Sequence, residues 1–304
     1  MKRFPDELKA GQTVPAVITI HGGNWSVDSG VTKDYYNYMT AFITGDCGCV
    51  HVNMEYRRLG SDGGLDDTKA PYQQMLDDIQ SAISYLQSHA ATYHIDASKI
   101  ALMGHSAGGH LALLYAYMAK QGNYNYGDNI QLVISEAGPT DFTNFEGIST
   151  NNQDIRNGFE SSLMQLSALT GVEYTIQNYE NNTEYPGAWE DASPIYYVST
   201  NQGNNFPYTI LAYGSNVNTP QGNNPFISGD SVVAYSQATS LADELDANKY
   251  TLFTLNGVGH NTVGEGETVY PGSITKDANL TQAISDYYDK ISKKLQELNE
   301  QENN

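Results

Sequence analysis

In the stretch IALMGHSAGGHLALLYAYMAK an apolar run meets Gly104-His105-Ser106-Ala107-Gly108 and passes directly into a helical pattern. A serine on so sharp a strand-to-helix turn holds its hydroxyl clear of the backbone, and small flanking residues let strand and helix approach each other. The chemistry such a turn serves is attack of the Ser106 hydroxyl on a carbonyl carbon. The helix that starts at Ala107 aims its N-terminal dipole at the same place, where negative charge would develop on the attacked oxygen.

Two further stretches supply what that attack lacks. AVITIHGGNW is an apolar run ending in His21-Gly22-Gly23-Asn24-Trp25, and glycines after a strand allow backbone N–H groups to turn toward a tetrahedral intermediate. YTLFTLNGVGHN ends in Gly257-Val258-Gly259-His260, which puts a histidine on a small-residue loop where it can reach the serine as general base. Of the other histidines, His51, His89, His94 and His110 read as surface or packing residues. His21 and His105 stand beside site elements, although a side chain one residue from the nucleophile usually points away from it.

With these motifs, and with the EYRR strand end and DASPIYYVS, the chain over about residues 14 to 295 resembles the α/β-hydrolase superfamily, specifically its esterase and lipase group with HGG after an early strand. The resemblance implies a Ser-Asp-His triad in chain order, with the oxyanion held by loop and elbow amides that fall at Gly23, Asn24 and Ala107. Asn24 stands where many relatives have a third glycine. The family's acid follows a strand-ending glycine, yet Gly214 is followed by Ser215, Asn216, Val217 and Asn218. The pattern of an acid, then Val, then Gln at a helix start recurs at Asp230, Val233 and Gln237, with Ala234 in place of the family's Pro. Asp230 is therefore the expected triad acid, after an insertion of about a dozen residues; N-capping of the following helix is its alternative role. The activity implied is ester hydrolysis through an acyl-enzyme, with no cofactor and no metal. Amide hydrolysis of the formamidase or peptidase kind, and a silent binding module on the same fold, are the alternatives.

Such residues need a scaffold. Runs of strand length at Ala16 to Ile20, Cys49 to Met54, Ile100 to Met103, Ile130 to Ser135, Tyr208 to Ala212 and Tyr250 to Leu255 alternate with helical periodicity, which predicts an α/β fold with a mainly parallel sheet and helices on both faces. Met75, Leu76, Ile79, Ile83 and Leu86 recur at helical spacing after Pro71. So do Val233, Ala238, Leu241 and Leu245, and again Leu280, Ile284, Tyr287, Ile291, Leu295 and Leu298. The stretch from about 141 to 197 breaks this rhythm and reads as an inserted cap within one domain of residues 1–304. Loops leaving the carboxyl ends of parallel strands surround the site in such sheets, so Trp25, His105, Trp189 and Phe226 are the expected substrate contacts, with Tyr185 beside them.

Composition narrows the partners. Against 35 Asp and Glu the chain sets 15 Lys and Arg, a net charge of −20, which argues against nucleic acid and anionic membrane surfaces. Only 16% of residues are charged, compared with roughly 25% in an ordinary soluble domain, and 23 Tyr contribute to a neutral polar surface. The expected partner is a small-molecule or carbohydrate-linked ester. Cys47 and Cys49 lie too close for an unstrained bridge and read as free thiols. MKRFPDELKAGQ lacks the apolar centre of a signal peptide, so the chain as written reads as cytoplasmic, or as secreted if a leader was removed.

Overall fold

The computed structural model describes residues 8, 11–27, 39–60, 63–145, 153–201, 205–215, 233–256, 260 and 278–300. Among them six strands form one parallel sheet: β1 (Val14–Ile20), β2 (Val50–Met54), β3 (Ile95–His105), β4 (Ile130–Glu136), β5 (Tyr208–Ser215) and β6 (Tyr250–Asn256), in spatial order β2-β1-β3-β4-β5-β6. Every strand expected from its apolar run is present. β3 is longer than expected, because it starts at Ile95, which pairs with Val14 ahead of the apolar residues.

A parallel sheet is covered on both faces, so its strands are apolar on both. Ala16, Ile18, Ile20, Ile100 and Leu102 point into one core, Val17, Ala101, Met103, Leu132 and Ile134 into the other. The first core is closed by α1 (Pro71–Ser88), α2 (Ala107–Lys120) and, across β5 and β6, α4 (Tyr235–Glu244); α3 (Gln153–Thr170) lies against it farther out. The second is closed by α5 (Ala278–Glu300), whose Ile284, Tyr287, Ile291, Leu295 and Leu298 repeat every three or four residues, and by the turn around Phe42 and Ile43. α2 is buried on all sides from Ala107 to Ala119. Such a helix has no amphipathic stripe and is held by packing in every direction. Cys47 and Cys49 are buried free thiols in the second core.

Register decides where the site forms. Ile20 pairs with Met54 on one side and Gly104 on the other, and His105 pairs with Glu136. The carboxyl ends of β2, β1, β3 and β4 therefore finish level, and the loops leaving β1 and β3 meet there.

Between β4 and β5 the chain is more helical than its broken rhythm suggested. α3 buries Phe159, Leu163, Leu166 and Leu169 at helical spacing. Short helices follow at Ile176–Glu180, Gly187–Asp191 and Pro194–Ser199. The first opens with a capping box in which Thr175 and Asn178 satisfy each other's backbone N–H. The last opens with Pro194, whose missing N–H costs nothing at a first turn.

Candidate active site

Ser106 joins β3 to α2 with φ 54° and ψ −123°, a region that non-glycine residues occupy only when their surroundings dictate it. Those surroundings are close. Ser106 N–H donates to the Glu136 carbonyl at 2.7 Å, and its own carbonyl accepts from His110 N–H at 3.0 Å to begin the helix. A Cβ on Gly104 would stand 2.3 Å from the Gly108 carbonyl carbon, and one on Gly108 2.0 Å from the Ile20 carbonyl oxygen. The glycines of the motif are thus demanded by contact between β3, α2 and the end of β1.

His260 Nε2 lies 2.9 Å from Ser106 Oγ across 154 residues of sequence. The serine hydroxyl donates to the imidazole, the geometry from which a general base removes the proton. His105, expected as a substrate contact, packs on the base instead: it is buried, its ring lies 5.0 Å from that of His260, and its Nε2–H donates to the His260 backbone carbonyl at 2.8 Å. This bond ties down the backbone of the base itself.

Opposite Ser106 the loop after β1 turns through three successive left-handed residues, Gly23 (φ 100°), Asn24 (57°) and Trp25 (59°). Ser26 and Val27 N–H groups both donate to the Gly23 carbonyl, Leu59 N–H to the Trp25 carbonyl, and Gln165 Nε2 of α3 to the Asn24 carbonyl at 2.6 Å. Under the loop, His21 is fully buried, its Nδ1–H on the Gly22 carbonyl at 2.8 Å and its Nε2 3.1 Å from Glu55. Tyr56 stacks on the His21 ring at 4.2 Å and donates its hydroxyl to the His21 carbonyl. Arg57 of the same EYRR segment grips the Asp78 carboxylate and Gln74, and the Asp78 hydrogen bonds push its guanidinium further up. Ala107 opens α2, so its N–H belongs to the first turn that no helix satisfies internally.

A cavity of about 210 Å³ opens on Ser106 and is walled by Asn24, Trp25, Phe142, Phe145, Leu166, Val233 and Gln237, with Asp141, Asn144, Ser161, Ser162 and Gln165 adding polar groups. Gln237 is a residue the sequence reading valued only as part of a pattern. Its amide accepts from Thr140 and Asp141 N–H and donates to the Asp141 carbonyl, fixing the loop after β4. A larger hollow of about 410 Å³ lies at the amino ends of β4 and β5, lined by Lys120, Lys249 and Lys294. It holds neither the serine nor the histidine.

Two expected contacts change place. Trp189 is fully buried, donates its indole N–H to the Val172 carbonyl, and stacks with Tyr185 at 6.1 Å beside Tyr174; it is the core of the β4–β5 excursion and does not line the cavity. Tyr185 belongs to the same cluster. Trp25 does line it, and its indole N–H donates to Nδ1 of His110 at 3.2 Å. His110, expected as a surface or packing residue, is buried packing, and what it packs against is the loop; its position one helical turn after Ser106 was the signal for that partner. Phe226 and Asp230 lie outside the described residues.

The BD-FAE family model matches residues 5–218. "Probable carboxylesterase 5" of Arabidopsis thaliana is 32% identical over 114 residues, 35% of this chain and 33% of that protein. The matches to curated relatives span between 28% and 54% of those proteins' lengths. Among solved structures, a bifunctional GH43-CE of Bacteroides eggerthii superposes with TM-score 0.62 at 21% identity, over 95% of this chain and 32% of that one. A propionate-bound thermophilic esterase of the Planctomycetes species Thermogutta terrifontis gives TM-score 0.60 at 18% identity, over 97% and 88%. At these identities the likeness establishes the fold, that of the α/β-hydrolases.

Proposed function

Because the chain belongs to the BD-FAE family, we propose that it is a serine carboxylesterase acting through an acyl-enzyme on short-acyl esters of polyhydroxylated, carbohydrate-like alcohols. The observation that carries this reading is the 2.9 Å contact between Ser106 Oγ and His260 Nε2 at the mouth of the cavity. His260 takes the serine proton as Oγ attacks the ester carbonyl. The N–H groups of Gly23, Asn24 and Ala107 receive the charge that develops on the oxygen. The tetrahedral intermediate collapses, the alcohol leaves with the proton from His260, and water repeats the sequence to free the acid. We assign Asp230 as the residue that orients His260, on chain order and pattern.

The substrate class follows from size and lining. About 210 Å³ is less than the roughly 300–1,000 Å³ of pockets for drug-sized ligands, enough for a short acyl group or one sugar ring. Aromatic faces from Trp25, Phe142 and Phe145 beside the amides and hydroxyls of Asn24, Asn144, Ser161 and Ser162 suit a ring with apolar faces and a hydroxylated edge. The carboxylesterase names of curated relatives support ester hydrolysis itself.

The test is a panel of p-nitrophenyl esters of increasing chain length beside acetylated and feruloylated oligosaccharides and a formyl-amide. The expected result is highest kcat/KM for acetyl to butyryl esters and for acylated sugars. Preference for the amide would give the formamidase-like reading, and turnover of none would leave a binding module.

A further inference from the structure

We propose that His110 is a positioning residue that sets the oxyanion loop against the nucleophile by accepting the Trp25 indole N–H, a relay whose second bond, to the Ala192 carbonyl, serves only to fix the imidazole tautomer. The inference rests on the hydrolase reading above for its kinetic consequences, but its geometry is independent of it. His110 is completely buried. Its Nε2 lies 2.8 Å from the Ala192 carbonyl oxygen and its Nδ1 3.2 Å from the Trp25 indole nitrogen. A carbonyl can only accept and an indole N–H can only donate. The imidazole therefore carries its one proton on Nε2 and its lone pair on Nδ1, and no other neutral tautomer satisfies both neighbours.

The rings leave little room for the loop to move without breaking this bond. Trp25 meets His110 edge-on at 5.4 Å and 89°, and Phe142 closes on both, at 4.8 Å from His110 and 6.0 Å from Trp25. The bond matters because of where its two ends are attached. Trp25 ends the left-handed run from Gly23, whose φ values have to be imposed from outside. His110 lies one turn along the helix from Ser106, on the rigid element that also carries the Ala107 N–H. One half of the oxyanion hole is thus referenced to the other through the indole–imidazole contact. Gln165 holds the Asn24 carbonyl from the far side.

The two halves of the relay can be cut separately. In His110→Asn the side-chain oxygen falls near the Nδ1 position and keeps an acceptor for Trp25, while the Ala192 bond is lost. His110→Gln places its amide nearer the Nε2 position, which keeps a donor for Ala192 and removes the acceptor for Trp25. Trp25→Phe removes the donor and keeps a ring. Removing an oxyanion donor outright costs about 10²–10³ in kcat; for a displaced donor the expected loss is about 10- to 100-fold. On p-nitrophenyl acetate, Trp25→Phe and His110→Gln are each expected to lose that much in kcat with KM within about twofold, and the double variant to be no worse than either single. His110→Asn should stay within about threefold of the parent. The indole ¹H–¹⁵N resonance of Trp25, one of only two tryptophans, should move in His110→Gln and hold in His110→Asn, with no substrate present. Full kcat in His110→Gln or in Trp25→Phe, equal loss in His110→Asn, or an unmoved indole resonance in His110→Gln would each overturn the proposal. If His110→Gln does not fold, Trp25→Phe and His110→Asn decide it. A parent protein that turns over no ester would overturn the proposed function, and the resonance experiment would still judge the relay.

Discussion

Ser106 occupies a backbone conformation that its neighbours impose, and the tightest of these is the meeting of Gly108 with the carbonyl end of β1. Gly108→Ala is the sharpest single-residue check of that claim. The added methyl would stand 2.0 Å from a backbone oxygen that cannot swing aside, so strand or helix must shift. The expected cost is about 3 kcal/mol, at the upper end for overpacking, read as a lowered urea midpoint, with activity falling in step. An unchanged midpoint would show that the elbow tolerates a side chain there. Residue by residue, the parts of the site that were legible in the sequence are those whose chemistry is tied to a turn: Ser106 between strand and helix, the HGG loop, and His260 after the last strand. His110 is buried packing, as expected, but the loop it packs against was not legible, and Trp189 is core in place of the expected substrate contact, for one shared reason. A buried histidine and a buried tryptophan look alike in sequence whether they face a cavity, a loop or their own core, and only the fold distinguishes Trp25 on His110 from Trp189 on Tyr185.

Among the elements, α5 has the least obvious connection to the site. Its apolar stripe announced a packed helix, but not that Tyr287 reaches under the elbow. The Tyr287 hydroxyl donates to the Glu136 carboxylate at 2.5 Å, both groups being fully buried, and the Glu136 carbonyl accepts the Ser106 N–H. Burial first, then the adjacent carboxylate, push the Tyr287 phenol well above its ordinary range, so it remains a donor. Tyr287→Phe keeps the ring and removes a donor from a buried carboxylate, a change expected to cost about 2 kcal/mol. Equilibrium urea unfolding checks it; a loss below the error of the measurement would mean that other partners of Glu136 carry the load. α3 shows the converse limit of sequence reading. Its buried Phe159, Leu163, Leu166 and Leu169 are separated by Glu, Ser, Met, Gln and Ala, so its apolar stripe is narrow and easily lost among its neighbours.

For the whole molecule, the alternation of strand and helix made the α/β sheet and all six strands legible, because a doubly covered parallel strand is a short apolar run with turn residues at its end. The order β2-β1-β3-β4-β5-β6 was not; pairing depends on contacts between distant segments. The same two-sided burial gives the protein a pH signature. Burial pushes His51, held between Thr19 and Thr40, and His110 down to about 4, from an ordinary 6.5. Below about pH 6.5 the unfolded chain binds protons that the folded chain refuses, so stability falls as pH falls from about 6.5 toward 4 and is unaffected by these groups above that range. Each contributes a slope of roughly 1.4 kcal/mol per pH unit inside the window. Urea unfolding at steps from pH 6.5 to 4.5 should show stability declining; a flat or rising profile would contradict neutral burial of these imidazoles.

If Ser106, with its proton taken by His260, is the nucleophile of an acyl transfer, it must react as an activated serine. A p-nitrophenyl phosphonate tests this most directly, because phosphonylation requires an activated serine and leaves a stable mass. The expected result is one adduct per chain, mapped to Ser106, with ester turnover lost in proportion to labelling, and no adduct on Ser106→Ala, whose fold is kept while turnover falls on the order of 10⁴ to 10⁶. Ester hydrolysis that persists in fully labelled protein, or an adduct mapped to another residue, would contradict it.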